Sequence, residues 1–187
     1  MAEIAGLKLI VPSSVSATGT ATASVSASGK VTFTGINSTN TITVEGCWSS
    51  THDNYLIVLR TTVGTAGLMR LRYRVSGSDA SGSNYTSQGI DANNTSVTGA
   101  RNSSETSARF GNGNSNHTGH HVYVCGPNLA QPTATRTVSV TDISSARLID
   151  YATTHSLSTS YTGFTLFAAD PAPSVVTGKF TIYGLSQ

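Results

Sequence analysis

The sequence predicts an all-β chain, an antiparallel β-sandwich of jelly-roll type with an extended N-terminal arm. Three observations carry this expectation. Apolar residues recur at every second position in short runs. Gly, Asn, Ser and Pro separate the runs, as in Gly35-Ile36-Asn37, Gly64-Thr65-Ala66-Gly67 and Pro171-Ala172-Pro173. Nowhere do a dozen residues keep the i, i+3, i+4, i+7 spacing of an amphipathic helix.

Taken in order, residues 1–30 form the expected arm. Ile4, Leu7, Leu9, Ile10 and Val11 give it an apolar tip, too aliphatic for a free tail. Pro12 ends that run, and the stretch to Lys30 holds almost only Ser, Thr, Ala, Gly and Val. Such a segment can lie in a groove or pair its backbone with a neighbour's edge strand, so the arm is expected to carry attachment or an inter-subunit contact. The other reading of the segment is a first pair of edge strands in the same domain.

Residues 31–187 form the expected sandwich. Strands are predicted at about 31–34, 41–45, 54–60, 68–75, 121–125, 135–141, 163–168 and 178–183. Val31 and Phe33 alternate with Thr32 and Thr34, and Phe180 and Ile182 with Thr181 and Tyr183. One polar face per strand means antiparallel sheets with one face in the core. The polar stretch 76–121 contains one further alternating candidate, Tyr85 to Ile90.

Composition narrows the function classes. Charged residues make up only 11% of the 187 residues, against about 25% in a typical domain. The net charge of +2 is too small to imply nucleic acid, which calls for concentrated Lys and Arg. No apolar run reaches membrane-spanning length, and the N-terminus lacks the basic opening and apolar core of a signal peptide. Cys47 and Cys125 read as two reduced thiols, with a disulfide between them the alternative.

Catalytic patterns are scarce. There is no G-x-S-x-G, H-E-x-x-H or P-loop, and the nine carboxylates are scattered. The expectation is a non-enzymatic protein without cofactor. His117, His120 and His121 cluster, but adjacent strand residues point to opposite faces, so the trio reads as ordinary loop histidines. Arg70, Arg72 and Arg74 share one strand face opposite Met69, Leu71, Tyr73 and Val75. They form either a solvated face or a contact stripe for another subunit's acids.

The runs Leu7-Lys8-Leu9-Ile10-Val11-Pro12, Gly29-Lys30-Val31-Thr32-Phe33-Thr34, Gly46-Cys47-Trp48-Ser49-Ser50-Thr51, Tyr55 to Arg60, Met69 to Arg72 and Gly178 to Gly184 resemble small bacteriophage and cyanophage virion proteins. The resemblance implies a homotrimeric, jelly-roll-like particle component, assembled in the host cytoplasm and displayed on the virion surface. Its partners would be its own copies and the major capsid protein or other virion proteins. The first expectation is a capsid decoration, or cement, protein. The alternative is a tail or head fibre that binds the host surface, glycan included, for which Trp48 and Tyr85 are the candidate ligand contacts on exposed loops.

Overall fold

The computed structural model describes residues 6–63, 67–113, 117–141, 146–169 and 175–185. Among them there are sixteen strands and no helix. The larger sheet runs, in spatial order, β10 (Ser96–Glu105), β9 (Tyr85–Asn93), β14 (Arg147–His155), β13 (Thr133–Thr141), β12 (His117–Cys125), β6 (Asn54–Val63), β16 (Val176–Leu185), β4 (Val31–Ile36) and β3 (Thr22–Val25). β1 (Leu7–Ile10) pairs with the second half of β16, on the edge whose first half pairs with β4. The smaller sheet runs β11 (Ala108–Gly113), β7 (Gly67–Val75), β15 (Gly163–Ala169), β5 (Ile42–Glu45) and β2 (Ser14–Ala17), with β8 (Ser78–Asp79) hairpinned onto β7. All described pairings are antiparallel, and the fold is an antiparallel β-sandwich.

Alternation puts one face of each sheet inside. Phe33, Ile57, Leu59, Val122, Val124, Phe180 and Ile182 come inward from the larger sheet, and Ile42, Val44, Met69, Leu71, Phe164 and Leu166 from the smaller. Each aliphatic or Phe side chain so buried stabilises by about 1.5–3 kcal/mol before entropy costs. One end of the core is aromatic: the Trp48 ring stacks on Phe164 at 5.5 Å, and Tyr73 lies between Tyr161 at 5.1 Å and Tyr85 at 5.8 Å.

The N-terminal segment is extended, but it lies on the sandwich instead of projecting from it. β2 pairs with β5, β3 with β4 and β1 with β16, so the segment supplies edge strands to both sheets. Ile10, Val15, Ala17, Ala23 and Val25 pack against the core, and Ala21 belongs to it. The reason is that small Ser, Thr, Ala and Val side chains suit an edge strand that covers a core rim. Ile4 lies outside the described residues.

β13 inverts the expected polarity. Its inward positions are Thr133, Thr135, Thr137, Ser139 and Thr141, all buried, while Val140 faces solvent. The neighbouring inward positions continue the polar layer, with the Ser87 hydroxyl 2.9 Å from that of Thr153. Buried His120 joins it, Nδ1 lying 2.8 Å from Ser139 Oγ and Nε2 3.2 Å from Thr61 Oγ1. β11 closes over this pair at Gly111, whose φ is +140°. A Cβ there would come within 2.6 Å of the imidazole and 2.8 Å of the Ser139 hydroxyl, so only glycine fits.

Candidate functional site

The outer face of the larger sheet carries the features that point outward. Register alignment gives one continuous cross-strand row: Val97, Ala92, Leu148, Val140, Gly119, Arg60, Lys179, Thr32. The next row holds Ile90, Asp150, Val138, His121, Val58 and Thr181. At the β9–β10–β14–β13 end these rows form an aliphatic patch. Val97 is 72% exposed, Val140 58%, Ile90 54% and Leu148 46%. Four large aliphatics clustered on one sheet face are unlike the scattered single ones of an ordinary surface. A third row runs Arg136, Tyr123, Leu56, Tyr183, Leu9, and it ties the exposed N-terminal strand to the same face. Leu7, Leu9 and Val11 are exposed there, whereas Ile10 turns in to the core.

Further along the first row the face becomes basic. Arg60 and Lys179 are direct cross-strand partners, Lys30 stands one residue before β4, and His117 hydrogen-bonds Thr62 Oγ1 at 2.8 Å through Nδ1. Two adjoining cavities, of about 410 and 220 Å³, share Arg60 and Lys179 as walls.

The Arg70–Arg74 stripe lies on the outer face of the smaller sheet, and its charges are answered within the chain. Arg74 pairs with Glu45 at 2.7 Å and with Asp79, and Arg70 with Glu105 at 2.9 Å. Arg72 lies over the Phe167 ring at 4.6 Å and near Asp79 at 3.8 Å. Burial opposes ionisation of Glu105, but hydrogen bonds from Arg109 and Arg70 outweigh it and hold the carboxyl below its ordinary range. The stripe therefore roofs β15, whose Thr165 hydroxyl also donates to Asp79 at 2.6 Å.

Trp48 and Tyr85 are corrected as ligand contacts. Both are buried in the aromatic end of the core, and Tyr85 donates its hydroxyl to Ala80 O at 2.8 Å while accepting from the Tyr73 amide. A Trp beside a Gly-Cys turn is a large apolar body, and burying it outweighs leaving it on a loop. The three histidines are not loop residues but strand residues of β12, and they separate as adjacency dictates: His120 points in, His117 and His121 out. Among the described residues no three His, Cys, Asp or Glu side chains gather to hold a metal.

The cysteines are unpaired, Cys47 buried and Cys125 exposed. Burial pushes both thiols up, Cys47 far more than Cys125. A thiol-reactive dye at mildly alkaline pH is expected to label Cys125 in the native protein and to reach Cys47 only after denaturation. Peptide mapping of the labelled chain reads the order, and native labelling of Cys47 would contradict this packing.

The sequence flagged Leu7, Leu9 and Val11 but missed Ile90, Val97, Val140, Leu148, Arg60 and Lys179. Alternation in 135–141 was visible, yet nothing in it said that the valine face is the outer one.

No known family model matches the chain, and no curated protein matches it. Among solved structures, the exoplasmic/lumenal domain of VIP36, in its Ca2+/Man3GlcNAc-bound form, aligns over 92% of this chain and 86% of its own at 14% identity, with a TM-score of 0.41. A likeness that loose carries no argument about function.

Proposed function

We propose that the protein is a structural component of a bacteriophage particle, a decoration or cement protein that docks on the outer surface of the shell. The observation that carries the reading is the aliphatic outer face of the larger sheet, Ile90, Val97, Val140 and Leu148, with the exposed Leu7 and Leu9 of β1 farther across the same sheet. Sheet faces of this kind seek a flat apolar partner, and a repeated lattice supplies many copies of one. The resemblance of the chain's motifs to small virion proteins supports the same reading. The N-terminal strand then acts as part of a rigid docking face. Trimeric assembly fits the lattice role, because closed symmetry is the rule for such oligomers.

Electron cryomicroscopy of the particle, with copy counting, tests this. Copies at regular shell positions in the hundreds are expected, the order of a capsid lattice. The double substitution Val140→Ser with Leu148→Ser is expected to leave folding intact and strip the protein from particles. A few copies confined to the tail would replace this reading with the fibre alternative, and absence from the particle would end both.

A further inference from the structure

We propose that the groove around Arg60 and Lys179 binds an acidic polysaccharide, one bearing carboxylate or sulfate groups. Glu45, Asp79, Asp91, Glu105 and Asp150 each meet an arginine of this chain. Of the cations, Lys30, Arg60, Arg101 and Lys179 have no carboxylate partner among the described residues, and three of these four line one groove. Arg60 directly opposite Lys179 is a like-charge pair on adjacent strands, about 4.8 Å apart at the backbone. Such a pair destabilises a sheet unless an anion lies between the heads.

The groove's construction selects the kind of polyanion. β6 and β16 are hydrogen-bonded on both sides here, so no free strand edge is offered to an acidic peptide. No exposed aromatic ring lines either cavity, which removes the stacking platform of single-stranded nucleic acid. What remains is cations interleaved with the hydroxyls of Thr32, Thr62 and Thr177 along an open trough. Hydroxyls meet sugar hydroxyls, and the cations meet the charged substituents at charge-assisted strength. Gly119 of β12, opposite Arg60 on the other side, adds no side chain, and a Cβ there would meet nothing within 4 Å, so the trough stays open toward β13. The inference is independent of particle attachment, which rests on the aliphatic end of the face.

The test is titration calorimetry of the full chain with a sulfated heparin octasaccharide and with an oligogalacturonate, against neutral dextran, polyglutamate and a single-stranded oligonucleotide. At least one acidic oligosaccharide is expected to bind and dextran not to. Arg60→Gln with Lys179→Gln is expected to weaken binding about tenfold or more, the loss of two charge-assisted contacts. Arg101→Gln removes a cation outside the groove that has no carboxylate partner among the described residues, and is expected to change affinity by less than about twofold. The double variant relieves the like-charge pair, so its melting temperature is expected to hold or rise, which separates lost binding from lost fold. The proposal is overturned if neither acidic oligosaccharide binds, if Arg101→Gln weakens binding as much as the double variant, or if polyglutamate or the oligonucleotide binds more tightly than both sugars.

Discussion

Removing residues 1–30 is expected to leave a chain that does not fold. The deletion takes β1, β2 and β3 together. β4 and β5 then lose their outer partners, and β16 loses its partner along Ile182–Leu185. Inside, Ile10, Val15, Ala17, Ala21, Ala23 and Val25 leave the rim of the core around Val31, Phe33, Ile42 and Val44. Even at about 1 kcal/mol for each half-buried aliphatic, the loss is several kcal/mol, against a total stability of about 5–15 kcal/mol. Far-ultraviolet circular dichroism and a urea titration of the truncated chain read the outcome. The contrasting variant is Leu7→Ser with Leu9→Ser and Val11→Ser, whose side chains are exposed; it is expected to fold with near-normal stability and, on the proposed docking role, to lose particle attachment. A truncated chain with a full cooperative transition would show that the N-terminal strands are dispensable.

The second large effect is acid sensitivity centred on His120. Burial, with a smaller contribution from neighbouring His121, pushes its imidazole from 6.5 down to about 3. The folded state therefore holds His120 neutral while the unfolded chain takes up a proton below pH 6.5. The stabilisation from excluding that proton is complete above the unfolded value and is lost as pH falls toward the folded one. From about pH 7 to about pH 5 the loss from this group is about 2 kcal/mol. His155 is lowered in the same direction by burial and adds to the slope. Urea midpoints at the two pH values measure the drop. His120→Gln is expected to be less stable at neutral pH, because the amide fits the Ser139 and Thr61 hydroxyls less well, yet to lose clearly less between the two pH values. An unchanged drop would assign the proton to another group.

Much of the fold was legible because its strands obey simple alternation. The expected strands at 31–34, 41–45, 54–60, 68–75, 135–141, 163–168 and 178–183 correspond to β4, β5, β6, β7, β13, β15 and β16, and 121–125 is the C-terminal half of β12. β14 escaped because Leu148 and Ile149 point to opposite faces and Thr153 and His155 face inward, so period two does not show as apolar against polar. β10 escaped because its sequence is mostly Ser, Thr, Asn and Gly, which read as loop chemistry. The candidate sites were less legible for a related reason. In β13 threonines line the interior and the valine face turns outward, into the exposed aliphatic patch. The arginine stripe was placed correctly on one face, but its neutralisation by Glu45, Asp79 and Glu105 depends on strands distant in sequence.

The position of β16 has a consequence for biosynthesis. It is the last strand described, yet it sits inside the larger sheet, holding β6 on one edge and β4 and β1 on the other. Until it emerges from the ribosome, β6 and β4 are open edges on a nascent chain, ready to pair with the wrong neighbour. Productive folding thus waits until residues 176–185 have been synthesised, and loop closures this long slow the search. Polysomes crowded with unfinished copies would be the setting in which this protein is most prone to aggregate, and a chaperone that shields strand edges would raise its yield more than one that shields helices.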